Sequence, residues 1–172
     1  LCGTMSVGKT TLVNALKEIP MFRNYNFATE RSKYLNDLGI PLNTDSTLKG
    51  QTVFLAERCA ELMNDHIITD RTIIDVMAFT MNAKSIAHQD KDIFEQYAKE
   101  FLREYDYIFY ISPYGLPIED NGVRETDEHY RDLIDFTITT LIKRYAHMME
   151  NVETIKGTTE ERIQQMLRVI SS

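Results

Sequence analysis

Eight residues near the start of the chain, Gly3-Thr4-Met5-Ser6-Val7-Gly8-Lys9-Thr10, have the spacing Gly-x-x-x-x-Gly-Lys-Thr. Residues of these types at this spacing can grip a polyphosphate. The glycines let consecutive backbone N–H groups turn toward one point, the lysine reaches the β- and γ-phosphates, and the hydroxyl that follows it suits Mg²⁺. Residues 11–18 are expected to be helical, with Leu12, Val13 and Leu16 on one face, so that the positive end of the helix dipole meets the same phosphates. Gly3, Ser6, Val7, Gly8, Lys9, Thr10 and Thr11 form the expected nucleotide-binding set, and Thr10 doubles as a metal ligand.

Other candidates lie at the ends of apolar runs. His66-Ile67-Ile68-Thr69-Asp70 reads as a strand ending in an acid, which places Asp70 to hold Mg²⁺ directly or through water. Arg71 follows at once, suited to a bidentate grip on a phosphate or a substrate oxygen. Asp75, one turn further, is explained about equally well as a solvated helix residue. Thr29-Glu30-Arg31-Ser32-Lys33 ends another strand. Glu30 there is placed to accept a proton from an attacking hydroxyl or to orient it, with Arg31 and Lys33 available to neutralise substrate charge. The segment 112–124, rich in Pro, Gly and charge, runs into a helix that carries Arg131. Arg124 and Arg131 would share a helix face if that helix starts early, the arrangement of a lid (about residues 113–131) that brings arginines to transferring charge. Gln51 is a candidate substrate contact, and Gly157, between the last strand and helix, a place for a nucleotide base to rest on backbone. His66, His88, His129 and His147 share no metal-binding spacing.

The elements that must position these groups alternate. Strands are expected over 25–29, 66–69, 107–111 and 152–155. Helices are expected over 48–64, 73–84, 92–104, 127–148 and 159–169. Three apolar stripes mark inward faces. They are Leu55, Cys59 and Leu62 beside Ala56, Ala60 and Met63; Ile93, Phe94, Tyr97, Ala98, Phe101 and Leu102; and Tyr130, Leu133, Ile134, Ile138, Leu141 and Tyr145. Thr158 and Glu161 have the spacing of a capping box. Residues 107–111 (Tyr-Ile-Phe-Tyr-Ile) are apolar on both faces, as a central parallel strand requires. The pattern predicts an α/β fold, a parallel sheet covered by helices on both faces, with ligand at the C-terminal strand edge. Because only Leu1 and Cys2 precede Gly3, a first strand is expected to be mostly missing from the sequence.

With 172 residues and no internal repeat or linker, one domain is expected. A net charge of −7 without a basic run disfavours an extended nonspecific grip on nucleic acid. Two cysteines without zinc or redox spacing fit reduced, buried thiols and a cytoplasmic location. No apolar stretch has membrane-spanning length.

Taken together, these residues resemble the ribosylnicotinamide-kinase-like branch of small P-loop kinases of bacteria and bacteriophages. The resemblance is carried by Gly3 to Thr10, Thr29-Glu30 with Lys33 where arginine is usual, Gly39-Ile40-Pro41-Leu42-Asn43, Thr69-Asp70-Arg71-Thr72 with Asp75, and Tyr105-Asp106-Tyr107. Its most distinctive part is Pro117-Ile118-Glu119-Asp120-Asn121-Gly122-Val123-Arg124 with Thr126-Asp127 and Arg131. It implies a five-stranded sheet in nucleoside-kinase order, a lid after the fourth strand, and ATP- and Mg²⁺-dependent phosphorylation of a nucleoside- or nucleotide-like small molecule. In that role Lys9, Glu30, Asp70, Arg124 and Arg131 would act in catalysis. Two other readings stay open: a kinase of hydroxymethylated pyrimidines in phage DNA, and a nonenzymatic nucleotide-dependent switch. A homodimer is compatible with any of them.

Overall fold

The computed structural model describes residues 1–29, 32–117 and 127–172. Short strands lead into helices throughout. The strands are β1 (Asn26–Ala28), β2 (Ile67–Thr69), β3 (Ile108–Ile111) and β4 (Val152–Ile155). The helices are α1 (Lys9–Leu16), α2 (Ser32–Asp37), α3 (Leu48–Glu61), α4 (Ile73–Asn82), α5 (His88–Ala98), α6 (Glu128–Arg144) and α7 (Thr159–Ile170). Single 3₁₀ segments extend or link them at Pro20–Phe22, Asn43–Asp45, Lys99–Glu104 and Ala146–Met148.

The described strands form two parallel pairs rather than one five-stranded sheet: β1 with β2, and β3 with β4. Leu1 and Cys2 run between them. Cys2 N–H donates to Phe109 O and Ile111 N–H donates to Cys2 O, both at 2.9 Å, while the Leu1 ammonium reaches Thr69 O at 2.6 Å. The expected first strand is represented by a single parallel bridge, Cys2–Tyr110. The consequence for the site is geometric: the segment that enters the glycine-rich loop emerges between the C-terminal ends of β2 and β3.

Alternation along β3 divides the core. Ile108 and Tyr110 join an apolar cluster with Ile73, Ile74 and Met77 of α4 and Ile134 and Ile138 of α6. Phe109 and Ile111 face a second cluster with Leu12, Val13 and Leu16 of α1 and Ile163 and Met166 of α7. Helices thus cover both faces, as the doubly apolar strand requires.

Three of the expected stripes shift. In α3 the buried face is Gln51, Phe54, Leu55 and Arg58, while Met63 is exposed. α5 starts earlier than expected and gives way to the 3₁₀ turn, so Ile93 and Tyr97 face out while Phe94, Ala98 and Leu102 stay in. In α6 Leu133 is exposed beside buried Tyr130, Ile134, Ile138 and Leu141. Each error comes from counting every apolar residue as inward, although a packed helix buries only a strip about a third of its circumference wide. The Thr158–Glu161 capping box is formed at the start of α7. Among the described residues no helix is long and apolar enough to cross a membrane.

Candidate functional site

The loop from Gly3 to Gly8 connects the Leu1–Cys2 segment to α1, and its backbone is unusual. Ser6 and Gly8 have φ of 58° and 82°, the left-handed conformation that turns successive N–H groups to one side. At Gly3 the constraint is space: an added Cβ would lie 2.7 Å from Ile111 O, so only glycine lets the loop leave the sheet this closely. Val7 is buried in the second apolar cluster and anchors the loop, while Ser6 is half-buried and Gly8, Thr10 and Thr11 are exposed.

Lys9 is buried, and its ammonium donates to the carbonyls of Gly3 and Thr4, both at 2.6 Å. It therefore sits across the mouth of its own loop. Burial first, and the nearby Arg71 charge second, pull it down from 10.5 to about 8, against the opposing pull of Asp75 and Asp70.

Thr10 Oγ1 donates to Asp70 Oδ2 at 2.7 Å. Asp70 is buried at the end of β2, and its Oδ1 has no hydrogen-bond partner among the described residues. A buried carboxylate oxygen without a donor, next to a hydroxyl at the start of a helix, is a donor set that fits Mg²⁺. Among the described residues no group of three or more His, Cys, Asp or Glu side chains converges to hold a metal.

Asp75 is fully buried and structural in its contacts. One oxygen accepts Gly3 N–H at 2.9 Å, and the other accepts both Thr72 N–H and Thr72 Oγ1 at 2.7 Å. It fastens the first residue of the loop to the first turn of α4. The Thr72-x-x-Asp75 spacing could have announced it, since it is a capping-box pattern.

Beside the loop a small, partly open cavity of about 50 Å³ is lined by Met5, Gln51, Phe54, Arg71, Val76 and Phe79, with Ser46 and Asn43 also on its wall. Arg71 lies over the Phe79 ring, its guanidinium carbon 5.0 Å from the ring centroid. Gln51 is buried on α3, and Ser46 Oγ has no partner among the described residues. Of this lining, sequence reasoning singled out only Gln51 and Arg71. Met5, Phe54 and Phe79 carry no pattern that separates a cavity wall from core.

The remaining candidates are spread wider. Lys33 is exposed on α2. Glu30, Arg31 and Arg124 lie outside the described residues. Arg131 is in the first turn of α6, which begins at Glu128 with Asp127 as its cap, so this helix does not start early. Its Nη1 donates to Leu116 O at 2.7 Å, and its carbonyl accepts Thr4 Oγ1 at 3.4 Å. Arg131 thereby joins the 112–117 segment to the glycine-rich loop. Gly157 forms the turn between β4 and α7, where its neighbour Thr158 donates N–H to Glu161 at 2.8 Å.

A family model described as an AAA domain matches residues 1–162. The chain belongs to that family. A solved structure of deoxyadenosine kinase from M. mycoides with bound dCTP is similar to this AAA-domain chain at a TM-score of 0.68 and 16% sequence identity. The likeness covers 99% of this chain and 97% of that one. It establishes a P-loop NTPase α/β fold. No curated protein sequence matches the chain.

Proposed function

We propose that this AAA-domain protein is an ATP- and Mg²⁺-dependent phosphotransferase that acts on a hydroxyl or phosphate of a nucleoside- or nucleotide-like small molecule. One observation carries the reading: an apolar cavity with convergent polar groups, Gln51 and Arg71, opens directly beside Met5 of the glycine-rich loop. A nucleotide-dependent switch needs the loop alone, whereas a kinase needs a second compartment next to it for the acceptor.

In this reading Gly3, Ser6, Val7, Gly8, Lys9, Thr10 and Thr11 hold the triphosphate, and Gly157 lies near the base. Thr10 and Asp70 would hold Mg²⁺, which supplies charge neutralisation on the phosphates. Lys9, Arg124 and Arg131 balance the charge of the transferring group. Gln51, Arg71, Arg31 and Lys33 orient the acceptor, and Glu30 receives the proton of its hydroxyl. The fold shared with deoxyadenosine kinase and the resemblance to ribosylnicotinamide kinases both favour a nucleoside-like acceptor over a free sugar or a protein.

The test is transfer of γ-labelled phosphate from ATP to a panel of nucleosides, nucleoside monophosphates, ribosylnicotinamide and hydroxymethylpyrimidine DNA, with Lys9→Ala as blank. Label on one small molecule is the expected result. Label on the DNA alone would move the assignment to a DNA-modifying kinase. No label on any acceptor, with ATP still bound, would overturn the enzyme reading.

A further inference from the structure

Arg162 stands in an unfavourable place. It is in the first turn of α7, where the helix dipole repels a cation, and only 7% of it is exposed. Its Nε is buried without a hydrogen-bond partner among the described residues. Burial pulls its guanidinium below the usual arginine range. A side chain kept there at such cost is expected to act through the strong contact it makes among the described residues.

That contact is with the glycine-rich loop, 155 residues away in sequence: Nη1 donates to Val7 O at 2.7 Å. The same Nη1 lies 3.3 Å from where a Cβ on Gly8 would stand, so the guanidinium abuts the back of the Val7–Gly8 peptide. A trans peptide is planar, and its C=O and N–H point in opposite directions. Fixing Val7 O from behind therefore fixes Gly8 N–H toward the concave side of the loop. That N–H has no acceptor among the described residues.

The mount is firm. α7 packs along α1, and Val7, Ile163 and Met166 share one apolar cluster. The Thr158–Glu161 capping box fixes the turn from which Arg162 projects. Gln165 pins Lys156 by accepting its N–H at 3.3 Å and donating to its carbonyl at 2.7 Å.

We infer that Arg162 is a positioning residue for polyphosphate binding: it holds the Val7 carbonyl so that the Gly8 N–H is preset to donate to a bound phosphate. The inference rests on the nucleotide-binding reading above. It also ties the Lys156–Thr158 turn to the phosphate loop through a single helix, so that the two are positioned together.

The test uses tripolyphosphate and ATP as probes, with affinities by calorimetry and the Gly8 amide followed by ¹H–¹⁵N NMR. In the wild type, tripolyphosphate is expected to shift the Gly8 amide proton downfield. Arg162→Met should weaken both probes by about tenfold, the scale of a lost charge-assisted hydrogen bond. It should also abolish the Gly8 shift while the Thr10 amide still responds. Arg162→Lys keeps charge and one donor but has a shorter reach, and should fall between the two with a melting temperature near wild type. Should Arg162→Met fail to fold, the Lys variant decides: wild-type affinity with a wild-type Gly8 shift would overturn the inference. Unchanged affinity in a folded Arg162→Met would overturn it as well, leaving the nucleotide reading intact. A wild-type protein that binds neither probe would bring down both.

Discussion

At the scale of single residues, the most consequential group is Lys9, because its charge is both needed and disfavoured. With its ammonium at about 8 in the fold and 10.5 as the ordinary value, the unfolded chain binds more protons between those pH values. The contribution of Lys9 to stability therefore improves as pH rises from about 8 to 10.5, and its burial is fully unfavourable below 8. Anion binding has the opposite sign, since only the protonated form attracts phosphate. In the absence of Mg²⁺, ATP affinity is expected to be flat up to pH 7.5 and then to fall by up to about tenfold per pH unit above 8. Lys9→Met should bind weakly with no such slope, and calorimetry across pH 6.5–9.5 reads both. Asp70 belongs to the same scale. Its Oδ1 has no hydrogen-bond partner among the described residues and its Oδ2 accepts from Thr10, so Asp70→Asn should reduce apparent Mg²⁺ affinity about 10–100-fold. Mg²⁺-free ATP binding should be nearly unchanged; a loss of that binding instead would reassign Asp70 to shaping the loop.

Among the elements, α3 shows how a buried charge is tolerated. Arg58 is only 2% exposed, and it donates Nη2 to Glu61 at 2.5 Å with Glu57 at 3.8 Å. Burial pushes the Glu61 carboxyl up while Arg58 pulls it down. Removing one partner from such a pair leaves an uncompensated charge, whereas replacing both with apolar residues often costs nothing. Glu61→Ala is expected to cost about 3 kcal/mol, and the Arg58→Met/Glu61→Leu double variant to melt at or above wild type. Chemical denaturation of the three proteins tests this, and an unfavourable double variant would show that the pair itself specifies how α3 seats. The seat matters for the cavity beside the glycine-rich loop, because Gln51 and Phe54 line it from the same buried face of α3.

For the whole molecule, the loop is anchored from both sides of the sheet. Asp75 of α4 holds Gly3 on one side, and Arg162 of α7 holds Val7 on the other. A ligand seated on the loop therefore stabilises both halves of the core at once, and binding should register as a cooperative rise in melting temperature. At a hundredfold excess over its dissociation constant, ATP with Mg²⁺ is expected to add about 2.7 kcal/mol, or roughly 5–10 °C for a domain of this size. Two separate melting steps, with only one moved by ATP, would contradict that coupling.

Local sequence determined much of this protein. The Gly3–Thr10 spacing is readable because the phosphate binding proposed for it would be done by consecutive backbone groups, so the candidate site is written in one short stretch. The β3 strand and the Thr158–Glu161 cap are legible for the same reason: each depends on neighbours within a few residues. Asp70 and Arg71 were legible as strand-end residues, since parallel strands bring their C-terminal ends to one edge. What tertiary structure alone decided is everything that depends on distant partners. The buried face of α3, with Arg58 turned inward, is set by the neighbours that pair with it and not by hydrophobicity. Phe54, Phe79 and Met5 become a cavity wall only when α3, α4 and the loop meet. Arg162 left no signal in sequence at all, because the group it holds is a backbone carbonyl at the other end of the chain, and a carbonyl has no residue type.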